Sequence, residues 1–322
     1  HLGLYAMHLE YKKHFEELIQ AFEAKAKEFA PILKMGRTQL EDAVPMSLGQ
    51  TFGAFASILK DEIPHLDNAA EEFLTINMGA TAIGTGICSQ PGYADKCTKA
   101  IAKLTGWKIK KAADLVAATS DTSCMVGYSS VLRRIATKMN KICNDLRLLG
   151  SGPKCGLHEI DLPARQPGSS IMPGKVNPVI PEVMNQISYK VIGNDLCIAL
   201  CNEAAQMELN AMEPTMAQCC FESIEIMING FDVLRKYCIE GIHADTENCR
   251  NYIRGSIGIV TALNPIIGYK NSTKIAIEAL KTRKSVYDLV LEHEILTKEE
   301  LDTILSPKNM IKPVKLNIKA RV

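Results

Sequence analysis

One short stretch of this chain gathers the groups that proton chemistry beside a carboxylate needs: Gly168-Ser169-Ser170-Ile171-Met172-Pro173-Gly174-Lys175-Val176-Asn177-Pro178. It carries two hydroxyls, one ammonium and one carboxamide. Gly168 and Gly174 permit backbone shapes closed to other residues, and Pro173 and Pro178 stiffen the run, so it reads as a loop able to close over a ligand. A serine hydroxyl in water is a poor base. Backbone N–H groups aimed by a glycine-rich turn, with the charge of Lys175 nearby, make an alkoxide accessible in a closed, dry site. The same donors would stabilise the dianion that forms when a proton leaves the carbon next to a carboxylate. Lys175 and Asn177 are two apart around Val176, so an extended loop can turn both to one side, toward a substrate carboxylate. Thr38 and Gln39, after Arg37, offer further neutral donors in a second polar stretch. The plainer readings are that Thr38-Gln39 is a turn or cap before a helix and that Lys175 is simply solvated. No G-x-S-x-G elbow, phosphate-loop lysine or metal-ligand spacing competes with the central stretch.

The elements around these stretches read as helices. Leu4, Met7, Tyr11, Phe15, Leu18, Phe22 and Phe29 recur at helical spacing, and Pro31 ends the run. Residues 32–44 read as a polar loop around Gly36, with Pro45 opening a second helix to about Leu74. The Gly, Ala and Thr run at 79–86 follows a helix rather than a strand and lacks a lysine, which predicts a close-packed connection, not a phosphate loop. Helices are expected at about 93–104 and 125–149, with Thr119, Ser120 and Asp121 as caps and turns before the second. Residues 179–212 read as one helix apolar around much of its circumference, ended by Glu213-Pro214, and the next runs to about Cys238. Beyond residue 250 the helices shorten; Thr297-Lys298-Glu299-Glu300 is a capping-box pattern, a helix is expected over about 285–293, and Lys312 to Arg321 reads as a solvated basic tail. The expectation is an all-α fold, with a long-helix bundle over 1–249 and a small C-terminal helical domain over 250–322. Such helices pack side by side. The apolar surface left over, above all on 179–212, predicts an obligate oligomer.

Composition narrows the partners. Hydrophobic residues make up 47% and charged residues 23%, and the formal net charge is +1, which leaves no electrostatic footprint for nucleic acid or an anionic membrane. No apolar run approaches a membrane span. The eleven cysteines are odd in number and lack a metal spacing, as expected of reduced thiols in the cytoplasm. Histidine stands at position 1, without a charged and apolar leader behind it, so the expectation is a chain that has lost its natural start.

Residues 168–178 resemble the signature loop of the aspartase/fumarase superfamily, and Gly36-Arg-Thr-Gln-Leu-Glu-Asp-Ala-Val-Pro45 resembles its second substrate loop. The likeness runs through nearly the whole chain. It is closer to the ammonia-lyase branch than to the fumarase branch, because Gln39 follows Thr38 where fumarases carry His. Asn177-Pro-Val-Ile-Pro-Glu-Val-Met-Asn-Gln186 and residues 79–86 and 143–152 point the same way. The resemblance implies a homotetramer with active sites shared between subunits, a small-molecule substrate, and reversible anti elimination of ammonia from L-aspartate to give fumarate. Ser169 would be the base. Lys175 and Asn177, helped by Thr38, would hold the α-carboxylate; Gln39 would line the pocket and Ser170 would donate to the β-carboxylate. Glu182 would stand behind them, with a helix-start carboxylate as its plainer reading. No cofactor or metal is implied. In the superfamily a further N-terminal domain supplies much of the β-carboxylate site, and this chain begins after it, so an incomplete pocket is expected. Fumarate hydratase and a non-catalytic oligomeric scaffold are the alternatives.

Overall fold

The computed structural model describes residues 1–322 except Pro167, Ser169, Ser170, Lys312, Leu316, Val322 and the side chain of Pro307. In chain order it contains α1 (Leu2–Glu28), β1 (Leu33–Thr38), β2 (Glu41–Ser47), α2 (Leu48–Lys60), α3 (Ile63–Glu71), β3 (Thr75–Ile76), α4 (Tyr93–Thr105), β4 (Lys110–Lys111), α5 (Ala117–Ser120) and α6 (Ser123–Leu149). These are followed by β5 (Ile160–Asp161), α7 (Val179–Glu203), α8 (Glu213–Tyr237), β6 (His243–Ala244) and a run of short helices, α9 (Thr246–Gly255), α10 (Val260–Ile267), α11 (Tyr269–Thr282), α12 (Val286–Glu292), α13 (Lys298–Ile304) and α14 (Pro307–Met310). The architecture is helical, and the strands form three two-stranded ribbons. Among the described residues no helix is long and apolar enough to cross a membrane.

The chain forms two compact units, each assembled from separate stretches. One gathers residues 1–21, 56–147 and 164–240; the other gathers 22–55, 148–163 and 241–322. In the first, Tyr11 and Phe15 of α1 each place a ring 5.3 Å from that of Phe231 on α8, and Phe73 meets Tyr128 at 5.1 Å. Helices α7 and α8 pack side by side, and their polar groups are paired where they are buried: Asn194 donates to Glu222 and Ser223, and the Ser129 hydroxyl donates to Asp195. In the second unit, Phe22, Phe29, Phe52 and Phe55 form an aromatic core. Met35 of β1 shares a second core with Leu263, Ile275, Leu289, Leu301 and other residues of the C-terminal helices.

Helices α1, α4, α6 and α8 follow the sequence expectation closely, as does the capping box, in which Thr297 and Glu300 each accept from the other's backbone N–H. Asp121 accepts from Ser123 N at 2.9 Å ahead of α6. Residues 77–92 are turns, and a Cβ on Gly84 would collide with the Val116 backbone, so this is the close-packed connection expected.

Four stretches differ from expectation. Residues 33–47 are a β-hairpin, not a loop: Gly36 lies where the β1–β2 register shifts, and Pro45 sits in β2 opposite Met35. A two-stranded ribbon is all edge, so a proline within it sacrifices little. The helix expected from Pro45 to Leu74 begins only at Leu48 and breaks at 61–62, where Pro64, in the first turn of α3, has no N–H to bond back to the end of α2. The helix expected over 179–212 stops at Glu203. There buried Asn210 donates to Thr122 Oγ1 and Cys201 O and caps Met212 N, and Glu213-Pro214 opens α8 rather than closing α7. In the C-terminal tail, Arg321 is tied down, with its backbone N–H on Ile295 O and its guanidinium 2.9 Å from Glu300.

Candidate functional site

In the second unit, the hairpin presents Thr38 at the end of β1 and Gln39 in the two-residue tip. Gln39 and Leu40 both have positive φ, 54° and 66°, the turn that matches the twist of paired strands but that normally calls for Asn and Gly. Each non-glycine residue held there costs on the order of 1 kcal/mol. The base of the hairpin is braced from below. Arg37 Nη1 donates to Glu159 Oε1 at 2.8 Å, and Lys34 Nζ stands 3.2 Å from Oε2 while donating its hydrogen bond to Met35 O. The Glu159 side chain is 0% exposed. The Arg37 guanidinium also lies 5.2 Å from the centre of the Tyr252 ring.

In the first unit, Lys175, Asn177 and Glu182 lie on the central loop and the start of α7. A Cβ on Gly168 would coincide with the Lys175 carbonyl, so only glycine lets the two arms of the loop touch. Asn177 Nδ2 donates to Gly168 O at 2.8 Å across the same closure. One amide hydrogen of Asn177 therefore braces the loop, and among the described residues its side chain has no second partner. Lys175 is exposed, and its backbone N–H closes a turn onto Met172 O. Glu182 sits in the first turn of α7, where the helix dipole favours a carboxylate, with Arg147 Nη2 3.7 Å away. Ser169 and Ser170 lie outside the described residues.

Arg37, Lys34 and Glu159 do not announce themselves in the sequence as a set. Glu159 is 122 positions from Arg37, and no spacing rule links them. Two other features have charge without an assignable role. His14, Glu17 and Asp232 come within metal-binding reach of one another in the first unit, but Arg235 and Lys236 already pair with the two carboxylates, so the cluster is an ion-pair network. A cleft of about 1000 Å³ in the second unit is lined by residues including Ile32, Arg250, Arg254, Tyr287, Lys298 and Asp302. It holds none of the candidate substrate-binding or catalytic residues named from the sequence, and its exposed charges are of both signs.

Residues 4–193 match a family described as lyase, and residues 259–312 match the fumarase C C-terminus. The aspartate ammonia-lyase of Pseudomonas aeruginosa is 52% identical over 320 residues, which is 99% of this chain and 68% of that protein. The chain belongs to the aspartase/fumarase superfamily. Within the superfamily, the aspartate ammonia-lyase of Escherichia coli is 49% identical over 97% of this chain and 65% of its own length. Among solved structures, a fumarate lyase:delta crystallin from Brucella melitensis superposes with a TM-score of 0.93 at 44% identity, covering 97% of this chain and 68% of that one. A class II fumarase from Schistosoma mansoni gives a TM-score of 0.88 at 30% identity, covering 96% and 68%. The chain thus spans about two thirds of the length of these superfamily members.

Proposed function

We propose that the chain carries the chemistry of an aspartate ammonia-lyase, the reversible anti elimination of ammonia from L-aspartate to give fumarate. The observation that carries this reading is the contrast in identity, 52% with an aspartate ammonia-lyase against 30% with a fumarase. Ser169 removes the proton from the carbon beside the β-carboxylate, the electron pair moves into that carboxylate, and its return forms the carbon–carbon double bond as the C–N bond breaks and ammonia leaves. Lys175, Asn177 and Thr38 hold the α-carboxylate, Ser170 donates to the β-carboxylate, and Gln39 lines the pocket. Gln39 suits an amine leaving group better than a titratable imidazole would, since its amide neither gives nor takes a proton at neutral pH.

The working protein is a homotetramer, in this reading, with sites shared between subunits. Support comes from α7, where Tyr189, Gly193, Leu196 and Leu200 fall at i, i+4, i+7 and i+11 on its exposed side. Tyr189, Leu196 and Leu200 are 58%, 62% and 57% exposed, and a Cβ on Gly193 would meet only open space. This is a heptad-like seam awaiting another helix. The free cysteines, including exposed Cys88 and Cys155, favour a reducing, cytoplasmic compartment.

The test is fumarate formation from L-aspartate, read by ultraviolet absorbance, with L-malate as the rival substrate. It should be run on this chain and on the protein expressed from its complete coding sequence. Activity on malate alone would overturn the assignment in favour of a fumarase; inactivity of both preparations on either substrate would favour the scaffold. Ser169→Ala should abolish elimination while leaving the assembly intact.

A further inference from the structure

Glu159 is fixed by its backbone as well as by its side chain. Its N–H donates to Leu149 O at 2.8 Å, and its carbonyl accepts from Asp245 N at 3.0 Å and from the Cys249 thiol at 3.5 Å. On this immobile residue two cations converge, Arg37 and Lys34, both from β1. Arg37 is held on further sides by Met35 O at 3.3 Å and by the face of Tyr252, whose hydroxyl donates to Gly156 O at 3.1 Å. Desolvating three charges is a poor way to gain stability, because well-packed apolar residues of similar volume commonly do as well or better. What the cluster supplies is direction. A planar guanidinium clamped by a carboxylate and stacked on a ring has few other orientations. Arg37 immediately precedes Thr38 and Gln39, and the tip beyond it is held in a strained conformation, which persists only where the surroundings over-determine it.

We infer that Glu159 is a positioning residue for the elimination: by clamping Arg37 and Lys34 from beneath the hairpin it fixes the placement of Thr38 and Gln39 toward substrate. The inference rests on the reading of Thr38 and Gln39 as substrate contacts, and its test keeps the two separable. Glu159→Gln, Arg37→Lys, Thr38→Ala and the double variant Glu159→Gln/Thr38→Ala are compared in protein expressed from the complete coding sequence, with rates normalised to folded protein. Glu159→Gln keeps the shape but not the charge; Arg37→Lys keeps the charge but not the fork or the stacking.

Glu159→Gln should lower kcat/KM for aspartate about tenfold or more, mainly through KM, since small misplacements of binding groups are costly. Adding it to Thr38→Ala should cost much less than it does alone, the non-additivity expected when one residue acts through the other. A merely structural role would lower thermal stability and leave kcat/KM per folded molecule unchanged. That result, in a protein where Thr38→Ala does raise KM, overturns the inference. If Thr38→Ala has no kinetic effect, the underlying reading of the hairpin fails instead. Should Glu159→Gln not fold, Arg37→Lys decides by the same criteria.

Discussion

Helix α2 contains two glycines, and the structure gives them opposite fates on substitution by alanine. Gly49 lies directly on the C-terminal end of α1: a Cβ there would collide with Ala26 O and come within 2.7 Å of Ala30 N and 2.8 Å of Ala30 Cα. All three are backbone atoms, which cannot swing aside. To restore ordinary contact α2 must shift, and the shift strains Gly49 N to Phe29 O at 3.1 Å and Leu48 N to Ile32 O at 2.8 Å. Overpacking costs about 1–3 kcal/mol and each weakened hydrogen bond up to about 1 kcal/mol, against a gain in helix propensity of at most about 1 kcal/mol. The net expectation is a loss of about 2–3 kcal/mol. At Gly53 the nearest atom to a Cβ is Ala26 Cβ at 3.7 Å, an ordinary contact, so Gly53→Ala keeps the propensity gain of roughly 0.5–1 kcal/mol. Thermal unfolding followed by circular dichroism, at one protein concentration and one scan rate, should place the Gly49→Ala midpoint about 3–5 °C below the parent and Gly53→Ala at or slightly above it. Because β2 runs directly into α2, Gly49→Ala should also weaken substrate binding if the hairpin holds substrate as proposed. A Gly49→Ala midpoint within about 1 °C of the parent, or an equal fall for both variants, would refute the packing argument.

Two further outcomes follow from particular contacts. Burial raises the Asp232 carboxyl, but hydrogen bonds to Lys236 and His14 outweigh it and bring the pKa down to about 2 from 3.8. A depressed carboxylate stabilises the fold above its unfolded pKa and loses that contribution as pH falls through the folded value, so the advantage in thermal midpoint of the parent over Asp232→Asn should be full at pH 6 and shrink between about pH 4 and pH 2. On α7, Leu196→Glu places a charge in the open apolar seam of the proposed oligomer, and light scattering should show a smaller assembly than the parent's with the helix content of each chain unchanged; equal masses for the two would remove the seam from that proposal.

How much of this was legible in the sequence depended on the range of the forces involved. The signature loop was legible as a loop because Gly168, Gly174, Pro173 and Pro178 act on their own backbone. Its closure by Asn177 onto Gly168 O was not, since an asparagine two residues from a lysine looks as much like a ligand as a brace. Glu182 was legible as a carboxylate at the start of a helix, the plainer of its two readings, but its neighbour Arg147, on α6, was not. The hairpin was misread as a loop because Gly36 and Pro45 are breakers in most settings, and they behave otherwise only at a bulge and in a two-stranded ribbon.

By itself the sequence determined the helical character of the chain, the extent of α1, α6 and α8, the capping box at Thr297 and the family to which the loops belong. These depend on 3.6-residue periodicity, on caps and on short motifs, all of which act within a few turns of chain. Only the tertiary structure decided that residues 33–47 pair as strands, that Met35 is buried among helices more than two hundred residues later, and that α7 ends where Asn210 reaches Thr122. It also decided that a fully buried Glu159 clamps Arg37, because the energy of a buried charge depends on which partners the fold brings to it and not on its neighbours in sequence.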